Sequence, residues 1–264
     1  MSFDVDALAH ALAARLAPLS VARPSVALPS LPGEPSMARR ESPRSDLRLF
    51  LDHTLLRPDA GHAALATHCD EAIEHGFWSV CVASRNVAFV RARVEGSGVR
   101  VCSVVGFPHG DASASAKAAE AARAVRDGAD ELDVVIAIGA LKDGDHRAIF
   151  EDLRGVVDAA EGRAVKVILE TALLDEREKV IGCALSKAAG AAFVKTSTGY
   201  AKGGATIEDI ALMRSVVGDV LGVKASGGIR DAATADAMIA AGATRLGASA
   251  SVAIVTGGKG TTTY

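Results

Sequence analysis

Aromatic side chains are scarce in this chain: seven Phe, two Tyr and one Trp make up 4% of its 264 residues. Few rings are left on which bases could stack, the usual means of gripping single-stranded nucleic acid. A positive excess is missing as well. Twenty-nine Lys and Arg face 32 Asp and Glu, a formal net charge of −3, which counts against binding by phosphate neutralisation. No apolar run approaches the roughly 18 residues of a membrane span. The first twenty residues lack a basic stretch followed by an apolar one, and Asp4 and Asp6 count against a transit peptide. Only four cysteines occur (Cys69, Cys81, Cys102, Cys183), without the C-x-x-C or His spacing of a zinc site. They read as reduced thiols, so the expected location is the cytoplasm, with no nucleic-acid or membrane partner.

Apolar material is plentiful. Hydrophobic residues make up 49% of the chain and the mean hydropathy is +0.24, which excludes wholesale disorder. Phe3, Leu8, Leu12, Leu16 and Leu19 follow a helical stripe over residues 1–19. Six of the eight prolines then fall between residues 18 and 46, a stretch that reads as a linker. From Leu47 onward short apolar strands alternate with Ala-rich helical stretches. The expected strands are Leu49–His53, Trp78–Val82, Val99–Gly106, Glu131–Ile136, Val165–Glu170, Phe193–Ser197, Gly222–Ala225 and Arg245–Ala248. Eight β-α units predict a (β/α)8 TIM barrel over residues 47–256, with a Pro-rich N-terminal extension (1–46) and a Gly-rich tail (257–264).

A weak repeat supports the barrel. Gly76, Gly128, Gly190 and Gly242 each end a helical stretch just before a strand, a position suited to the left-handed backbone. Five residues after each lie Cys81, Asp133, Lys195 and Gly247, on strands 2, 4, 6 and 8. Alternate strands of a barrel share interior layers, so these four are expected to form one layer.

Three lysines interrupt apolar strands: Lys166, Lys195 and Lys224, each 29 residues after the last. Asp133 interrupts strand 4 in the same way. One such lysine is ordinarily a surface group whose ammonium reaches water. Three in phase on neighbouring strands point to a cluster. A second cation and desolvation disfavour an ammonium, leaving an amine able to attack a carbonyl. The resulting imine accepts electrons when an adjacent carbon–carbon bond breaks, and a neighbouring carboxylate can move the protons. Lys195, Lys224 and Asp133 would supply these parts. Thr196-Ser197-Thr198-Gly199, Ser226-Gly227-Gly228 and Gly247-Ala248-Ser249-Ala250-Ser251 follow strands 6, 7 and 8. Hydroxyls and glycine-exposed N–H groups at such loops suit a phosphate, ahead of a helix that Asp231 would cap.

These residues carry a family resemblance from about Leu51 to Val255. Leu51-Asp52-His53-Thr54-Leu55-Leu56, Gly106-Phe107-Pro108, Lys166-Val167-Ile168-Leu169-Glu170-Thr171, Phe193-Val194-Lys195-Thr196-Ser197-Thr198-Gly199 and Val223-Lys224-Ala225-Ser226-Gly227-Gly228-Ile229-Arg230 resemble the 2-deoxy-D-ribose-5-phosphate aldolases. Those are Schiff-base lyases built on a (β/α)8 barrel. The resemblance implies reversible cleavage of deoxyribose 5-phosphate to glyceraldehyde 3-phosphate and acetaldehyde, in deoxyribose phosphate catabolism, with neither metal nor cofactor. It places the imine on Lys195, the amine-activating cation on Lys224 and proton transfer on Asp133. Phosphate contacts fall on Thr198, Gly199, Gly227, Gly228 and Ser249. Further substrate contacts are expected from Asp52, Thr54, Cys81, Lys166 and Gly247, while His53 packs or caps.

Two departures stand out, and one further feature is shared with part of the family. Ala250 replaces the second of two serines common in the family, leaving Ser251 as the remaining candidate hydroxyl. Cys81-Val82-Ala83-Ser84-Arg85 replaces a common Cys-Val-Asn-Pro. The chain ends in Tyr264, and some family members carry a terminal tyrosine on a tail that reaches the site, which makes it a candidate proton shuttle. Cys81, in the expected inner layer, is a candidate for thiol addition to enals. Two other readings stand beside the aldolase: a silent barrel that binds a phosphorylated metabolite, and a phosphosugar isomerase. A homo-oligomer, with a dimer favoured, is expected.

Overall fold

The computed structural model describes residues 44–260. Eight strands and nine α-helices are found among them: β1 (Leu51–Leu55), α1 (His62–His75), β2 (Ser79–Val82), α2 (Val87–Val94), β3 (Arg100–Val105), α3 (Ala114–Arg126), β4 (Glu131–Val135), α4 (Ile138–Asp143), α5 (His146–Ala159), β5 (Ala164–Ile168), α6 (Glu176–Ala189), β6 (Phe193–Lys195), α7 (Ile207–Val217), β7 (Gly222–Ser226), α8 (Ala232–Ala240), β8 (Arg245–Ala248) and α9 (Ser251–Thr256). All strands pair in parallel in chain order, and β8 pairs with β1 to close the barrel. No helix among the described residues is long and apolar enough to cross a membrane. The expected helix over residues 1–19, the Pro-rich stretch up to residue 43, and Tyr264 lie outside the described residues.

The helices begin and end where local chemistry dictates. Asp175 and Glu178 form a reciprocal capping box at the start of α6, and Asp231 caps α8 by accepting from the Thr234 N–H at 2.9 Å. The four repeat glycines all have positive φ, from 64° at Gly76 to 118° at Gly242.

Side chains alternate across each strand. One face, including Val80, Leu132, Val167, Val223 and Leu246, packs outward on Leu65, Leu153, Leu185 and Met213 of the helices. Burying each such Val or Leu contributes about 1.5–3 kcal/mol. The other face points into the bore, and there the charged residues lie.

Strand 1 differs from the sequence expectation by two residues. Arg44–Phe50 forms a 3-10 helix whose Leu47 and Phe50 are buried, so the strand starts at Leu51 instead of Leu49. Asp52 is therefore its second residue and lies well below the strand's carboxyl end.

Candidate active site

Asp133 is the centre of the bore. Its Oδ1 accepts from Lys166 Nζ at 2.8 Å, and its Oδ2 accepts from Lys195 Nζ at 2.7 Å and Lys224 Nζ at 2.8 Å. Three lysines on three consecutive strands thus converge on one carboxylate. Register explains how: Asp133 pairs with Lys166 across β4 and β5, and Lys195 with Lys224 across β6 and β7. Burial pushes the Asp133 carboxyl up, but Lys166, Lys195 and Lys224 together outweigh it and hold it well below the usual carboxylate range.

The layer expected from the glycine repeat is assembled around that contact. Cys81 Sγ lies within 4.8 Å of the Asp133 carboxylate and Cys102 Sγ. Gly247 supplies no side chain; a Cβ there would stand 3.0 Å from Lys224 Cε, so its absence makes room for that lysine.

Beneath this layer the ion pairs continue. Lys224 donates to Asp52 Oδ2 at 2.5 Å, and Asp52 Oδ1 accepts from Ser79 at 2.8 Å and Arg245 at 3.1 Å. Lys166 Nζ also lies 2.6 Å from Glu131 Oε2, which Arg245 meets at 2.9 Å. Burial disfavours the charge on Lys224, yet Asp133 and Asp52 raise its pKa above the ordinary lysine value. Lys166 is raised well above that value, burial again being outweighed by Asp133 and its neighbours. Both stay cationic. Lys195 differs: among the carboxylates of the described residues it meets Asp133 alone, and it retains 3% exposure where Lys166 and Lys224 have none.

The carboxyl ends of the strands form the mouth. Glu170, at φ +58° just past β5, accepts from the Thr198 N–H at 3.1 Å and from the Thr198 hydroxyl. The Tyr200 hydroxyl donates to Leu56 O at 2.8 Å, joining the loop after β6 to the loop after β1. A cavity of about 220 Å³ opens over strands 6 to 8, lined by Gly199, Gly227, Gly228, Arg230, Gly247 and Ser249 among others. On the β1–β3 side of the bore a separate apolar cluster gathers Leu56, Cys81, Cys102, Val104 and Phe107.

Several expected contacts take other places. Asp52 has no exposed surface and is engaged by Ser79, Lys224 and Arg245; it supports Lys224 from below, because strand 1 starts later than its sequence suggests. Lys166 is likewise fully buried beneath Asp133. Thr54 turns its hydroxyl to Asp52 O at 2.8 Å. Ser251 is buried and donates to Ala248 O at 2.9 Å, so it supplies no hydroxyl in place of the one missing at Ala250. His53 faces away from the bore, stacked on His68 and 3.0 Å from Glu71. Tyr264 lies outside the described residues; the last described residue, Gly260, donates its N–H to Arg230 O at 2.9 Å.

Four residues that the sequence reading did not assign belong to this centre. Glu131 and Arg245 begin β4 and β8 as buried ions, and Arg230 is the cation beside the cavity. Glu170 anchors Thr198. A charged residue at a strand end was the one available signal, and surface charges give it too.

Three groups of side chains among the described residues hold possible metal donors within 4.8 Å of one another. Two of them, around Cys102 in the bore, are already neutralised by Lys166, Lys224 and Arg245. In the third, the His53 and His68 rings stack 3.5 Å apart and 15° from parallel. Their lone pairs lie in separate planes and cannot both point at an ion about 2 Å from each nitrogen.

A (β/α)8 barrel with an amine–carboxylate cluster near the carboxyl ends of its strands has the architecture of a barrel enzyme. The chain belongs to the DeoC/LacD aldolase family, whose family model matches residues 47–257; it is an aldolase, a carbon–carbon lyase. It is 54% identical over 214 residues to the deoxyribose-phosphate aldolase of Alkaliphilus oremlandii, covering 81% of this chain and 96% of the relative. With the Enterococcus faecalis deoxyribose-phosphate aldolase it shares 53% identity over 216 residues, 81% of this chain and 98% of the relative. The solved deoxyribose phosphate aldolase of Aeropyrum pernix, described as a tetramer, superposes with a TM-score of 0.77 at 34% identity, covering 83% of this chain and 92% of that one.

Proposed function

We propose that the protein cleaves 2-deoxy-D-ribose 5-phosphate reversibly to D-glyceraldehyde 3-phosphate and acetaldehyde through an imine on Lys195. The observation that carries this reading is the unequal pairing of the lysines. Lys166 and Lys224 each meet at least two carboxylates, whereas Lys195 shares Asp133 with both. Of the three amines it is the one with the fewest carboxylates to hold a positive charge.

The neutral Lys195 amine attacks C1 of the open-chain sugar, and loss of water leaves a protonated imine. Removal of the C3 hydroxyl proton then breaks the C2–C3 bond, and its electron pair passes into the imine as an enamine. Asp133, 2.7 Å from Lys195 Nζ, moves protons directly or through water. Protonation at C2 and hydrolysis release acetaldehyde and restore the amine. Lys224 remains a cation beside Asp133 and disfavours a second charge on Lys195. The phosphate lies in the cavity over strands 6 to 8, with Thr198, Gly199, Gly227, Gly228, Ser249 and the Arg230 cation. The two-carbon fragment faces the apolar cluster that includes Cys81. Tyr264 is kept as a candidate proton shuttle.

Incubation with acetaldehyde and borohydride tests the assignment: a reduced two-carbon adduct is expected on Lys195 by peptide mass. A folded protein without it would overturn the imine mechanism. The four cysteines are all buried and unpaired, in keeping with a reducing cytoplasm. A homodimer is the assembly proposed, checked by light scattering.

A further inference from the structure

We infer that Glu131 and Arg245, on the floor of the barrel bore, are positioning residues that set the pH at which Lys195 loses its proton. The inference rests on Lys195 being the imine-forming amine. Neither residue can touch a substrate. Trp78 closes the floor beneath them, its ring flanked by the guanidinium groups of Arg100 at 3.8 Å and Arg245 at 4.4 Å, and its Nε1 donates to Glu131 Oε1 at 2.8 Å. The cavity opens at the opposite end of the strands.

Contact between floor and amine is nevertheless continuous. Arg245 meets Glu131 at 2.9 Å, Glu131 meets Lys166 at 2.6 Å, Lys166 meets Asp133 at 2.8 Å, and Asp133 meets Lys195 at 2.7 Å. A second branch runs from Arg245 through Asp52 to Lys224 and back to Asp133. Each residue in both branches is 3% exposed or less. Salt and water screen such charges little, so a change at one end is felt at the other.

The sign of the effect follows from the charge inventory. On the strands the bore holds four buried cationic groups, Lys166, Lys195, Lys224 and Arg245, against three buried carboxylates, Asp52, Glu131 and Asp133, and Arg100 at the start of β3 adds a further cation on the outer face of the Trp78 ring. The remaining titratable groups that face them are the thiols of Cys81 on β2 and Cys102 on β3. Burial drives Cys102 well above the ordinary thiol value, while a hydrogen bond with Cys102 lowers Cys81. Glu170, the acid at the mouth, is turned to Thr198. With cations in excess, the bore favours loss of one proton, and Lys195 has the fewest counterions. Deleting the Glu131 charge enlarges the excess and favours the neutral amine. Deleting the Arg245 charge lowers the excess and favours the ammonium.

The test is the pH dependence of Lys195 labelling by acetaldehyde and cyanoborohydride, read by peptide mass, in the parent and in Glu131→Gln, Arg245→Met and the double variant. The midpoint should move acid-ward by about one pH unit in Glu131→Gln and alkaline-ward by about as much in Arg245→Met. The double variant should return close to the parent. If Arg245→Met does not fold, comparing Glu131→Gln with the double variant carries the same sign test, since replacing both partners of a buried pair is tolerated better than replacing one. Midpoints that stay fixed, or that move in the same direction in both single variants, overturn the inference and leave the imine assignment standing. Absence of a Lys195 adduct in the parent at every pH overturns both.

Discussion

Lys195 and Lys224 donate to the same oxygen of Asp133, at 2.7 and 2.8 Å. Two ammonium groups on one oxygen repel each other, and the one held by a second carboxylate keeps its proton. Lys224 has that second partner in Asp52.

Replacing Lys224 with leucine therefore removes the competitor. The Lys195 ammonium gains sole use of Asp133 Oδ2, and the pH midpoint of imine formation should rise by about one unit. Stripping one partner from a buried ion pair should also cost about 3–5 kcal/mol. The kcat/KM profile against pH reads the first effect and urea unfolding the second. An unchanged profile in a folded variant would sink the electrostatic account.

Gly247→Ala tests the space beside the same lysine. The added methyl would stand 3.0 Å from Lys224 Cε and 3.1 Å from Ser226 Cβ, closer than comfortable packing allows. Displacing Lys224 should lower kcat at least about tenfold, and overpacking should cost roughly 1–3 kcal/mol. Full activity with normal stability would show that Lys224 tolerates the shift.

Glu170→Ala should release Thr198, leaving a buried N–H without its acceptor at a cost of about 1–3 kcal/mol. The KM for the phosphosugar is expected to rise roughly tenfold. Because Glu170 sits at φ +58°, Glu170→Gly should recover about 1 kcal/mol of stability over the alanine variant while KM stays high. A KM that recovers with stability would mean that Glu170 acts through the backbone alone.

Acid should weaken the fold through two histidines remote from the bore. Burial lowers the His53 and His68 pKa values below the usual imidazole value, His68 further so because His53 adjoins it. In the unfolded chain both take up protons below about pH 6.5. Between that pH and the folded values the unfolded state binds more protons, so stability falls as pH falls, by up to about 1.4 kcal/mol per unit per histidine. Replacing His68 with phenylalanine, which keeps a ring against His53, should flatten the slope between pH 7 and 5.5. Parallel losses in urea titrations of the two proteins would refute this origin. The bore carboxylates act in the same sense lower down: Asp52, Glu131 and Asp133 are held below their ordinary values, so their contribution is lost only below about pH 4.

The even 29-residue spacing of Lys166, Lys195 and Lys224 made their convergence legible in the sequence, because one β-α unit separates neighbouring strands and keeps the inward register. The glycine count placed Asp133 and Lys195 in one layer for the same reason. Depth along the bore was not legible. Whether a strand residue meets substrate or supports it depends on barrel stagger and on where the strand starts, and the 3-10 helix ending at Phe50 moved Asp52 inward. Lys166 shows the same limit from the other side: its spacing matched that of Lys195, yet it stands beneath Asp133. Glu170 was missed because its partner Thr198 lies 28 residues away, on a loop whose path no local pattern fixes.

The strand faces of this barrel carry opposite chemistry, aliphatic toward the helices and ionic toward the axis. The aliphatic packing of the fold is thereby separated in space from its reactive ions. A charge-balanced exchange inside the bore leaves the contacts of Leu132, Val167 and Leu246 with the surrounding helices untouched. The axis can in this way be rewritten one compensated pair at a time, and the same shell could house a differently tuned amine without a new architecture.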